Sequence, residues 1–236
     1  MNKKALQLAA RFALPPNSLG YCGKDTAPAK FIDCAIHGKC GGVEQEMEKF
    51  IVLNPYLETM LRVTGLKKYS LKNVEAYWLG NEMLAKAKLK HYQILLDNFT
   101  KQGVPEWLVT ELKQKVPKSF IPFHLFQVLH VGVGRASGSV PYNIETINNC
   151  MVRWGKVVKL KGLQITVNIC QLEKLKHKFQ ITFGNEEFSY REDFLTGLKV
   201  GDVVAVHWKQ VVKKLTPREV KNLEVWTGRT IETVGA

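Results

Sequence analysis

The sequence predicts an α+β fold: a mostly helical N-terminal domain over residues 1–141, then a small OB-like β-barrel with a C-terminal helix over residues 149–236. Three observations lead there. Apolar residues recur at helical spacing through most of the first part. After Asn148-Asn149 the composition turns to β-branched residues in short runs divided by turn signals, the pattern of a closed or nearly closed barrel rather than a layered α/β domain. Thr216-Pro217-Arg218-Glu219 then opens a helix, because Thr216 can cap free amides, Pro217 suits the first helical position and Glu219 can reach back.

In chain order, residues 3–13 have helical composition, and Pro15-Pro16-Asn17 is expected to stop that helix and start a loop through Leu19-Gly20-Tyr21-Cys22-Gly23. The spacing of Val43, Met47, Phe50 and Ile51 marks one helical face over Val43 to Leu53, and Pro55 opens a second helix carrying Leu57, Met60, Leu61 and Val63 before Gly65. Ser70 suits the N-cap of a helix over Leu71 to Leu79, and a longer amphipathic run follows from Met83 to Phe99. Pro105 starts another helix, and Pro117 ends it. From Phe120 to Val131 the chain is apolar on nearly every side, so periodicity separates neither helix from strand and only burial is expected. Gly132-Val133-Gly134-Arg135-Ala136-Ser137-Gly138 lacks the Lys-Ser/Thr of a phosphate loop and reads as a linker.

In the second part, strands are expected over Cys150 to Leu160 and Leu163 to Cys170, with Lys161-Gly162 as the turn and Ile165, Val167 and Ile169 on one face. Phe179 to Phe183 and Glu187 to Tyr190 flank Gly184-Asn185, a short hairpin signal. Another strand follows Gly201-Asp202, and the last helix carries Val220, Leu223 and Trp226 until Gly228 can end it.

The 236-residue chain has a formal net charge of +13, divided as +7 over residues 1–149 and +6 over residues 150–236. So diffuse a positive surface is weaker ground for nucleic-acid binding than a basic stripe, and nucleic acid is not the expected partner. Cys22, Cys34, Cys40, Cys150 and Cys170 are odd in number and share no framework spacing, which suits a reducing compartment, so the expected location is cytoplasmic. The first residues start like a signal peptide, but Arg11 breaks the apolar run and no small-residue cleavage site follows. No stretch reaches the ~18 uninterrupted apolar residues of a spanning helix, and no membrane is expected as a partner.

Chemistry concentrates in two segments. Asn149 to Val158 opens with the thiol of Cys150, and Lys199 to His207 closes with an imidazole; if these strands pair, a soft sulfur and a borderline nitrogen can face one ligand. A small barrel opening Cys-x-x-x-x-Gly-Lys-Val-Val, with Val-Gly-Asp-x-Val-x-Val-His near its end and a capped helix directly after, resembles the HypC/HupF-type hydrogenase assembly chaperones over residues 149–226. That resemblance implies metal ligation by Cys150 and His207, with iron carried as a transient iron–cyanide–carbonyl unit. The partners it implies are a hydrogenase large subunit and an iron–sulfur maturation scaffold protein. Arg153 and Lys156 can favour the thiolate, and with Trp154 they are the expected partner-binding residues. Through Phe12 to Gly23 and Glu75 to Asn81, the whole chain also looks like a bacterial family of unknown function.

Other clusters carry less. Cys34-x2-His37-x2-Cys40 with Cys22 offers a second, Cys3His set suited to zinc. His91 is expected at a core edge, and His124 and His130, in the most apolar segment, inside the core. An enzyme site around His124, His130 and Arg135 has no reaction to its name, and no enzyme is expected. Small barrels also bind single-stranded nucleic acid with exposed aromatics, for which Trp154, Phe188 and Tyr190 are the candidates.

Overall fold

A computed structural model describes residues 2–23, 25, 27–176 and 178–234. Helices fill the first part: α1 (Lys3–Ser18), α2 (Pro28–Ile32), α3 (Val43–Glu48), α4 (Leu53–Thr64), α5 (Leu71–Leu79), α6 (Lys90–Gln102) and α7 (Glu106–Gln114). A short turn, α8 (His124–Phe126), widens to π geometry over Gln127–Gly132, and α9 (Ile144–Cys150) follows. The second part holds β1 (Arg153–Lys161), β2 (Gln164–Leu175), β3 (Lys178–Ser189), β4 (Val203–His207), β5 (Gln210–Lys214) and α10 (Pro217–Val234).

The strands form one antiparallel sheet in the order β3-β2-β1-β4-β5, so the architecture is α+β with a terminal helix, and the expected barrel is an open sheet. Its edge strands β3 and β5 touch without pairing, and helices cover the rest: α1 packs on β5, α9 on β2 and α10 on β3. Gly155 sits where β1 comes closest to β2. A Cβ there would stand 2.4 Å from the Asn168 carbonyl oxygen, so only glycine fits.

Several boundaries differ from expectation, each for a local reason. Proline does not stop α1, which runs through Pro15 and Pro16 to Ser18. Cys150 belongs to no strand; the capping box of Asn143 and Thr146 starts α9, and Cys150 ends it. The Gly184-Asn185 hairpin is absent because β3 runs straight through both residues, pairing them with Ile169 and Asn168. The chain reverses instead after Leu175, where Lys176 has φ 56°. The stretch Met83 to Phe99 divides into a tight turn over Glu82–Lys86 and α6. The face from Val43 divides likewise, α3 ending at Glu48. Thr216 and Glu219 make their reciprocal cap as the sequence requires, yet α10 passes through Gly228 to Val234.

One hydrophobic cluster runs through helices and sheet. At its middle lies α1, whose Arg11 donates to the carbonyls of Ala35 (3.2 Å) and Phe194 (2.7 Å) and so ties helical and sheet parts together. Gly80 admits α10: at φ +77° it leaves room for Trp226, whose ring would lie 2.4 Å from any Cβ. The β4–β5 reversal places Trp208 (φ 47°) and Lys209 (φ 61°) in left-handed conformations usually held by Asn-Gly. That conformation strains an L side chain by roughly 1–2 kcal/mol. Replacing the exposed Lys209 by glycine is therefore expected to raise unfolding stability by about 1 kcal/mol. A urea midpoint that stays put or drops would contradict this account of the turn.

Candidate metal centre

Pro15 and Pro16 carry no amide proton, so the carbonyl of Phe12 has neither an i+3 nor an i+4 donor inside α1. His207, last residue of β4, takes that role: its Nδ1–H donates to the Phe12 oxygen at 2.7 Å. A carbonyl only accepts, so the proton is fixed on Nδ1 and Nε2 keeps a lone pair. That Nε2 is buried without a well-aligned hydrogen bond, although the Cys150 carbonyl lies near enough to favour the charged form of the ring.

The second imidazole is anchored in a related way. Cys150 ends α9, where terminal carbonyls have no donor within the helix, and its oxygen accepts from His124 Nε2–H at 2.7 Å. The Tyr77 hydroxyl meets His124 Nδ1 at 3.0 Å, and the side-chain amide of Gln127 meets the same hydroxyl. His124 and Gln127 stand on the turn that widens to π geometry, a deviation common at functional sites.

One backbone bond brings the thiol to the imidazoles. The amide of Trp208 donates to the Asn149 carbonyl at 2.6 Å, so the next residue of α9 and the last of β4, Cys150 and His207, become neighbours. Cys150 Sγ lies 3.9 Å from His124 Nε2, and one donor atom each from His124, Cys150 and His207 falls within 4.8 Å of the others. Trp78 packs against both rings, at centroid distances of 4.5 Å from His124 and 5.4 Å from His207. The three groups line a cavity of about 50 Å³, with Cys22, Phe50, Val133 and Val140 among its other walls. Such a space holds a few water-sized groups.

Burial sets the charge state. Desolvation lowers the His124 pKa to about 4. His207 is driven well below the ordinary histidine value by desolvation first and the neighbouring His124 second. The Cys150 thiol is pushed well up by desolvation, and further by Cys22. At neutral pH the centre is two neutral imidazoles and a protonated thiol.

The candidates read from the sequence fall as follows. Cys150 and His207 come together; His124, expected only in the core, joins them. What the sequence hid is its partner, a helix-terminal carbonyl that no residue pattern announces. Cys34 and Cys40 are bonded to each other and have no thiolate to offer, His37 is exposed, and Cys22 lies apart from them in the cavity wall. The second metal set is therefore not assembled. Of the expected partner-binding residues only Lys156 is exposed. Arg153 is buried and ion-paired to Glu186 at 2.5 Å, and Trp154 is buried in the central strand β1. The aromatic platform dissolves for the same reason, since Phe188 is buried as Trp154 is, and Tyr190 is half-buried. His130 donates to the Tyr92 oxygen (2.9 Å), Tyr92 to the Leu112 carbonyl, and Arg135 pairs with Glu111, so that group does not converge on His124.

A family model described as a family of unknown function, DUF6390, matches residues 1–236. The chain belongs to that family. No curated protein and no solved structure matches it, and nothing in the comparisons links it to the hydrogenase assembly chaperones. In this DUF6390 chain the two segments Phe12 to Gly23 and Glu75 to Asn81 both converge on the centre. Phe12 supplies the carbonyl that orients His207, and Asn17 holds the Cys22 loop by donating to the carbonyls of Cys22 and Asp25 (both 3.0 Å). Tyr77 and Trp78 contact His124. Among the described residues no helix is long and apolar enough to cross a membrane.

Buried neutral histidines make stability depend on pH. His124 and His130 are lowered to about 4 and His207 well below its ordinary value, all first by desolvation, whereas the unfolded chain titrates near ~6.5. Between those values the unfolded state binds more protons, so stability rises with pH across the window and the histidine contribution levels off above ~7. Three such groups give a slope of up to about 4 kcal/mol per pH unit. Urea unfolding at a series of pH values between 4 and 7 measures it; a flat profile would show that the imidazoles are not held neutral.

Proposed function

We propose that this chain is a metal-binding accessory protein, holding one thiophilic transition-metal ion on Cys150 Sγ, His207 Nε2 and His124 Nε2. The observation that carries this is the state of His207. Its outer nitrogen donates to a backbone carbonyl, as metal-bound histidines nearly always do, while its inner nitrogen is buried with no well-aligned hydrogen bond. One sulfur and two imidazole nitrogens suit zinc, iron(II) or copper, and three protein donors leave a position open.

The use of His124 requires its proton to sit on Nδ1. Tyr77 and Gln127 allow it: Nδ1–H then donates to the phenol oxygen and the phenol donates to Gln127 Oε1. With the proton on Nε2, the phenol donates to Nδ1 instead and the amide turns its NH2 to the phenol. The same three side chains thus serve either tautomer, and ligation through Nε2 replaces the bond from His124 to the Cys150 carbonyl. A binding role rather than a catalytic one suits a thiol that burial keeps protonated.

A finer version gives the ion an identity: an iron–cyanide–carbonyl unit, passed between an iron–sulfur scaffold protein and a hydrogenase large subunit; the Cys34–Cys40 disulfide removes the ground on which a reducing, cytoplasmic location was expected. It is supported by the motif resemblance over residues 149–226 and by the closeness of Cys150 to His207.

Protein purified without oxygen and titrated with zinc is expected to take up one ion per chain. Cys150→Ala and His207→Ala should each weaken binding at least about tenfold, with circular dichroism unchanged. Wild-type protein that binds no zinc would sink the proposal, leaving water as the partner of the lone pair. For the finer version, infrared spectra of protein produced together with hydrogenase maturation proteins should show metal-bound cyanide and carbon monoxide, lost in Cys150→Ala. Their absence removes the iron cargo and leaves the ion site.

A further inference from the structure

We propose that Cys22 is the fourth donor of this centre, so that the ion is held by two thiolates and two imidazoles. This rests on the metal-binding reading and deepens it. Cys22 lies in the wall of the same cavity as Cys150, His124 and His207, though outside their tight cluster. The end of α1 aims it there: the Pro16 carbonyl accepts from the amides of Tyr21 (2.9 Å) and Cys22 (3.3 Å), and Asn17 donates to the Cys22 carbonyl. Residue 22 is half-buried, yet its sulfur is sunk deeply enough that desolvation raises the thiol pKa to about 12.

Charge supplies the second argument. A divalent ion on one thiolate and two neutral imidazoles leaves a net positive charge inside apolar walls, which is costly unless it is paired. A second thiolate brings the sum to zero. The resulting S2N2 set is the composition of closed zinc sites. Reach is the third argument. Gly20 (φ +72°) and Gly23 (φ +89°) bracket the loop and give its backbone room to adjust toward the ion. Its neighbour Tyr21 packs its ring, tilted, against Trp208 at 4.7 Å and accepts a hydrogen bond from Ser139 through its carbonyl. Tyr21 and Ser139 line both the cavity and a groove outside it, so they form the wall between the two. Ligation by Cys22 would hold that wall shut over the ion.

The test uses the full chain loaded with zinc alone. X-ray absorption should find two sulfur and two nitrogen neighbours in the wild type, and weakly buffered titration should release about two protons per ion, one from each thiol. Cys22→Ser should show one sulfur, one proton and affinity reduced at least about tenfold. Cys22→His, which keeps a donor, should show one sulfur with most of the affinity retained. A wild-type site with one sulfur, and a Cys22→Ser protein indistinguishable from it, overturns the role of Cys22 while leaving the three-residue centre standing. A wild type that binds no zinc removes both.

Discussion

The centre depends on a hydrogen bond that helix α1 cannot make for itself. Two consecutive prolines strip the Phe12 carbonyl of both possible intrahelical donors, and the oxygen is deep in the protein. A buried carbonyl left unmatched costs about 1–3 kcal/mol, more than the ~1 kcal/mol an ordinary bond contributes. His207 meets that need from 195 residues away, and in doing so it spends its only proton. The demand of a helix is therefore what dictates which nitrogen of a strand histidine remains free. The prolines and the histidine are two halves of one feature.

The same logic repeats at the end of α9, where the Cys150 carbonyl, orphaned by helix termination, takes the proton of His124. The tight β4–β5 turn then clamps the pieces, because the Trp208 amide holds Asn149 while left-handed backbone at Trp208 and Lys209 reverses the chain. Strain tolerated in two non-glycine residues is informative. It persists only where surrounding contacts over-determine it, and here those contacts are the tie to α9 and the packing of Trp208 against Tyr21. Sheet and helices thus meet at a point fixed by backbone bonds, which explains how side chains from α5, α8, α9 and β4 share so small a space.

How much of this was legible in the residues differs from place to place. The meeting of Cys150 and His207 was readable from their flanking motifs, although the geometry imagined was wrong: the thiol closes a helix, and the cylinder is an open sheet under a cover of helices. The capped start of α10 was readable because capping is local chemistry. His124 was not, since an apolar stretch looks alike whether it hides a packing histidine or a functional one, and the difference lies in Tyr77, Gln127 and a distant carbonyl. Gly184-Asn185 misled because turn propensity yielded to the long pairing of β2 with β3. Arg153 and Trp154 misled because exposure depends on strand order, and β1 lies at the middle of the sheet.

A thiol beside imidazole also invites comparison with a nucleophilic dyad, which burial disfavours. While His124 donates to the Cys150 carbonyl it offers the thiol no lone pair, and the base is then His207. In water, moving a proton from cysteine to histidine already costs roughly 3 kcal/mol, from reference pKa values near 8.5 and 6.5. Burial here moves both in the wrong direction, the thiol upward and the imidazole downward, so the thiolate–imidazolium pair becomes still less accessible. A metal ion changes the balance in the opposite sense: it favours the thiolate directly and needs the histidine neutral, the state that burial already enforces. Desolvation that would disable a nucleophile is therefore compatible with a ligand set.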